Sequence, residues 1–117
     1  MILSLMAQYQ PLDSLFLALS DPTRRAVIGR LSRGPATVTE LATPFDMALP
    51  SFMKHIHQLE QSGWITSEKA GRVRTCRLEP TTFGVVQTWL DEQRAIWERR
   101  TDRLESFVTR TTKEKSP

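Results

Sequence analysis

At 117 residues, with 39% hydrophobic and 25% charged side chains, the chain is sized for one globular domain with a modest core. No apolar run approaches the roughly 20 residues that a membrane-spanning helix needs. A net charge of +3 suits an anionic partner such as nucleic acid without requiring one.

The opening residues, 1–6, are apolar but too few for a signal peptide, and they lack its basic flank and cleavage site. Met6 is a second candidate start. The single cysteine, Cys76, excludes an internal disulfide and fits a reducing compartment, so a cytoplasmic location is expected.

Residues 9–19 carry Leu12, Leu15, Phe16 and Leu19 at helical spacing and read as a first helix. Ser20, Asp21 and Pro22 break it and start a second, with Asp21 as N-cap and Pro22 at the first helical position, where its missing N–H costs nothing. The second helix runs from Pro22 to about Ser32 with Val27, Ile28 and Leu31 as its apolar face. Arg24, Arg25 and Arg30 read as a solvated polar side. Thr37 followed by Glu40 forms a capping box that opens a short third helix ending near Pro44.

A fourth helix lies within residues 46–65. Phe52, Ile56 and Leu59 share one face, while Leu49, Pro50, Met53, Lys54 and His57 fall largely on the other. Gly63 stands where a helix C-terminal glycine belongs. Two short helices with a tight connection, the second apolar on one side only, make a helix-turn-helix pattern.

Residues 64–70 and 73–78 alternate loosely around Gly71-Arg72 and read as a β-hairpin. Its four cations, Lys69, Arg72, Arg74 and Arg77, outnumber its one acid, Glu68, by as much as the whole chain's net charge. A basic tip suits a wing lying along phosphates; the blander reading is an edge hairpin blunted by charge.

From Pro80-Thr81-Thr82 a long helix is expected to about Arg110, spanning roughly 40 Å at 1.5 Å per residue. Its stripe of Val86, Trp89, Leu90, Ile96, Trp97, Leu104, Phe107 and Val108 is too long for a domain this size to cover. A second chain is expected there, with Leu15, Trp89, Ile96, Trp97, Leu104 and Phe107 at the interface.

These blocks resemble the ArsR/SmtB family of winged-helix repressors over about residues 12–108. The motifs are LSDPTRRAVIGRL, TVTELA, and MALPSFMKHIHQLEQSGWI followed by GRVRTCRL. The last helix, TWLDEQRAIWERRTDRLESF, looks like that of the family's branch with a long, Trp-bearing final helix. The resemblance implies a mainly α winged helix-turn-helix with a small β-hairpin, dimerising through the long last helix and repressing from a palindromic operator. Where the family opens its recognition helix with Ser-Gln-Pro, this chain has Ala48, Leu49 and Pro50, and Met53 stands where a serine is usual. Ala48 is a poorer N-cap than Ser by ~1 kcal/mol, with Asp46 as a substitute; Leu49 can touch only a thymine methyl. The expected DNA contacts are Leu49, Pro50, Ser51, Met53, Lys54, His55 and His57 from the helix, and Lys69, Arg72 and Arg74 from the wing; His55 matches the family's common histidine, which the resemblance implies supports packing or phosphate contact.

The positions matching the family's arsenic-binding cysteines are Thr37, Thr39 and Ala42, and the last helix has no histidine, so no metal or other cofactor is expected. His55 and His57 point about 200° apart on one helix and cannot share an ion. Cys76 reads as an inert thiol, with redox sensing as the alternative because Arg74 and Arg77 flank it. The Ser51-x-x-Lys54 spacing lacks its companion motifs, and no glycine loop cradles a phosphate, so no enzyme is expected.

The expected organisation is a flexible segment over 1–8, a winged helix-turn-helix domain over 9–110 that includes a dimerisation helix over 81–110, and a disordered tail over 111–117. The expected function is a cytoplasmic, sequence-specific transcriptional regulator that represses as a homodimer bound to double-stranded DNA, with no membrane contact. Two alternatives are a winged-helix module for protein partners, motivated by Leu49 and Met53, and a DNA-binding regulator with a small organic effector.

Overall fold

The computed structural model describes residues 12–115. The expected start of the first helix at Tyr9 and the segment 1–8 lie outside these residues. The chain divides into two compact units, the first ending at Phe83 and the second beginning at Gly84.

In the first unit, α1 covers residues 12–18, one residue short of the expected end, and closes through two turn hydrogen bonds, Leu19 N to Phe16 O at 3.0 Å and Ser20 N to Leu17 O at 3.1 Å. α2 is Pro22–Leu31; Asp21 caps it as expected, its carboxylate accepting from Arg24 N at 3.1 Å. β1 is Ala36–Thr37, a two-residue strand too short for periodicity to reveal. α3 is Val38–Ala42, with Thr37 Oγ1 accepting from Glu40 N at 3.1 Å. The Glu40 carboxylate turns to Arg30 Nη2, 3.6 Å away.

α4 is Leu49–Ser62 and ends in a Schellman motif. Gly63 takes φ 96°, its N–H reaches Glu60 O at 3.1 Å, and Trp64 N reaches Leu59 O at 3.0 Å. Trp64 is thereby part of the cap, which is why β2 starts one residue later than expected, as Ile65–Ala70. β3 is Val73–Leu78. Gly71 has φ 64°, and no non-glycine described residue has positive φ, so the two-residue turn has the glycine-first pattern of type II′. The sheet is antiparallel in the order β1-β3-β2, with Ala36 opposite Cys76 and Ser67 also opposite Cys76 on the other side.

The core lies where α1, α2, α3, α4 and the sheet meet. Phe52, Ile56 and Leu59 are fully buried, joined by Val27, Leu31, Leu41, Trp64, Ile65 and Cys76. Phe45 stacks on Phe52 at 5.7 Å. Trp64 donates its indole N–H to Leu15 O at 2.9 Å and meets Phe83 edge-on at 5.3 Å. Each buried aromatic side chain of this kind removes 150–250 Å² from water, and buried aliphatic ones add roughly 1.5–3 kcal/mol apiece.

The long helix α5 is Pro80–Lys115, 36 residues or about 54 Å. It runs five residues past the expected end, into the stretch expected to be disordered. No glycine or proline lies between Gly84 and Pro117, so the sequence supplies no stop signal there. Among the described residues no helix is long and apolar enough to cross a membrane.

Candidate nucleic-acid interface

The candidate surface is built from the outer face of α4, the start of α3 and the hairpin tip. Burying Phe52, Ile56 and Leu59 turns the opposite face of α4 outward. Pro50, Ser51, Lys54 and His57 are exposed there, Met53 is half-buried, and Leu49 is 57% exposed. Ala48 is the N-cap residue with no side-chain hydrogen bond, so Asp46 does not substitute as a cap.

The strand register decides which hairpin cations face the groove. Lys69 is directly opposite Arg74, and alternation puts both on the same side of the sheet as Ile65 and Cys76. Arg77 falls on the other side, where its Nη2 pairs with Glu68 at 3.2 Å. Two cations directly opposite each other repel, an arrangement that favours an anion between or beside them. Arg74 Nη1 donates to Ser67 Oγ at 2.8 Å, and Ser67 in turn donates to Glu60 on α4. This chain fixes one wing cation against the helix. Arg72 sits in the turn and is exposed, as is Lys69.

A groove of about 430 Å³ runs between these parts, lined by Thr37, Val38, Thr39, Leu49, Met53, Lys69, Arg72, Val73 and Arg74. Two expected helix contacts, Leu49 and Met53, and all three expected wing contacts thus meet on one surface. Thr37, Thr39 and Val73 were not foreseen. The reach from α3 to the hairpin depends on the β1–β3 pairing, which no local pattern signals.

His55 is the exception among the expected contacts. It is turned inward: its Nδ1 lies 3.2 Å from Arg24 Nη1 and 3.8 Å from Asp21 Oδ2. A guanidinium only donates, so in the contact with Arg24 the ring nitrogen is the acceptor. The reading of Arg24 as solvated is overturned by the same network. Arg24 is 7% exposed; its Nε donates to Ala18 O at 2.7 Å and its Nη2 to Leu17 O at 3.1 Å. It therefore satisfies carbonyls at the end of α1 while holding the ring of His55 on α4. Arg25 and Arg30 remain at the surface, bonded to Leu19 O and Gly34 O.

Cys76 is fully buried, and burial, reinforced by Glu60, pushes its thiol up despite the pull of Arg74. A thiol so placed is a poor nucleophile, which weighs against the redox alternative. Among the described residues no group of three or more His, Cys, Asp or Glu is placed to hold a metal ion.

In α5, Ile96, Trp97, Leu104 and Phe107 are 56–65% exposed, while Trp89 is half-buried. Leu15 differs: at 4% exposure it belongs to the core and has almost no surface to offer a second chain. The exposed apolar residues of α1 are instead Phe16, at 38%, and Leu17, at 60%.

A family model described as a helix-turn-helix domain matches residues 19–68. The HTH-type transcriptional regulator Rv2034 of Mycobacterium tuberculosis is 34% identical over 94 residues, which is 80% of this chain and 85% of that protein. The transcriptional repressor SdpR of Bacillus subtilis is 29% identical over 79 residues, covering 68% of this chain and 88% of SdpR. A crystal structure of an ArsR family transcriptional regulator superposes with a TM-score of 0.74 at 67% identity, covering 76% of this chain and 92% of that one. The winged fold, the reading helix and the likeness in sequence converge: the chain belongs to the ArsR family of DNA-binding, helix-turn-helix transcriptional regulators.

Proposed function

We propose that the protein represses transcription as a homodimer on a palindromic operator, in the cytoplasm and by binding rather than catalysis. The observation that carries the reading is the groove in which the exposed start of α4 meets Lys69, Arg72 and Arg74. Ser51, Lys54 and His57 supply hydrogen bonds to bases or phosphates, and the wing cations hold flanking phosphates. Leu90, Trp97 and Leu104 recur every seven residues on α5 and are all exposed, which supports a paired helix in a second copy. Two copies then present two reading helices about one DNA turn apart, ~34 Å.

Two measurements test this. Fluorescence anisotropy against DNA from the upstream region of its own gene, with unrelated DNA as competitor, is expected to show competitor-resistant binding that weakens steeply with salt. Equal binding to both DNAs would overturn the operator reading. Sedimentation of wild type and Leu104→Glu is expected to show a dimer and a monomer respectively; a monomeric wild type would overturn the assembly.

A further inference from the structure

The start of the reading helix has an unusual chemistry for its place. Residues near the N-terminus of a recognition helix meet base edges in the major groove. Here the first helical position is Leu49, 57% exposed, followed by exposed Pro50. Neither side chain can donate or accept a hydrogen bond. Met53 stands four residues on from Leu49, on the same face, and both side chains line the groove. The same groove is lined by the cations Lys69, Arg72 and Arg74, so apolar helix residues and positive charge meet on one surface. That combination complements duplex DNA, whose phosphates line the groove and whose major-groove edges carry a single apolar group, the thymine 5-methyl.

We propose that Leu49 and Met53 determine specificity by recognising a thymine 5-methyl group in each operator half-site. The inference rests on the DNA-binding reading above and adds which base it selects. Polar helix openings discriminate by paired hydrogen bonds; this one discriminates by burying a methyl group. One methyl is worth about fourfold in affinity, and a palindrome presents it twice, giving about fifteenfold.

The test begins with the full-length protein and a random-sequence duplex pool. Selection is expected to enrich a half-site with thymine at a fixed position. In the selected duplex each thymine is then replaced by deoxyuridine, which removes only the methyl. At one position per half-site the replacement is expected to weaken binding about fourfold. The Leu49→Ala variant is expected to bind the thymine and uracil duplexes equally, its fold kept because the side chain is largely exposed. Leu49→Gln serves as a second variant, and adenine preference is expected at the same position, since Gln pairs with the adenine edge. Thymine and uracil duplexes bound equally by wild type at every position would overturn the inference while leaving the operator reading intact. A pool that yields no enriched sequence would overturn both and return the apolar face to the rival protein-docking reading.

Discussion

The N-terminal end of α2 and the tip of the hairpin both carry arginines, and they use them in opposite ways. At α2, Arg24 is buried, donates to two carbonyls of α1 and meets His55 of α4. At the tip, Arg72 is exposed, and Arg74 is held by Ser67 at the mouth of a groove. Charge counting treats these side chains as equal. Burial separates them: the first holds helices together, and the others line an open groove. The comparison teaches that a basic patch must be judged by what already satisfies each guanidinium.

Removing Arg24 should produce the largest loss of stability. Arg24→Ala removes the side-chain donor to Ala18 O, leaves Leu17 O to Ser20 alone, and leaves His55 with Asp21 alone. Urea unfolding is expected to show a loss of about 2–4 kcal/mol. A loss below 0.5 kcal/mol would return Arg24 to the solvated class and erase the contrast.

Asp21→Ala should come next, at about 1 kcal/mol near neutral pH through the lost cap. The Asp21 carboxyl is pushed up by burial but held below its ordinary value by the Arg24 amide, His55, the Thr23 amide and the Arg24 charge. Because the folded pKa is the lower one, its contribution is present above the unfolded value near 4 and fades as pH falls through the folded pKa. The stability gap between wild type and Asp21→Ala should therefore close in acid and stay open at neutral pH. A gap constant down to pH 2 would mean the carboxylate contributes nothing by its charge.

The wing variants should leave stability within about 0.5 kcal/mol and act on binding alone. Arg72→Ala is expected to weaken all DNA sequences similarly and to lower the slope of log affinity against log salt by about one. An unchanged slope would remove Arg72 from the phosphate contacts. The smallest effect is expected at Cys76, where a thiol reagent at pH 8 should react slowly with the folded protein and fully after denaturation, since burial raises the thiol pKa. Fast reaction in the folded state would reopen the redox alternative.

Much of the first unit was legible because its signals are local. Asp21, Thr37 and Gly63 mark helix ends by chemistry that acts within a few residues, and all three do so in the structure. The face of α4 follows from the spacing of Phe52, Ile56 and Leu59. The hairpin follows from Gly71. Arg24 was misjudged because its burial depends on how α1, α2 and α4 pack: it meets carbonyls six and seven residues back and His55 31 residues on, and helical periodicity reports neither. The Glu60–Ser67–Arg74 chain was likewise unseen, although strand alternation does place Ser67 and Lys69 on one side.

Residue chemistry at short range specified the helices, their caps, the turn and the family to which the chain belongs. It also set the apolar stripe of α5 and the exposed Leu49 at the start of α4. Long-range packing added the rest: the third strand that carries α3 to the hairpin, the register that aims Lys69 and Arg74 at the groove while tying Arg77 to Glu68, and the burial of Arg24 and Leu15. The division has a physical cause. Caps and periodicity depend on backbone geometry within one turn or one strand, whereas exposure depends on which distant segments remove a side chain from water.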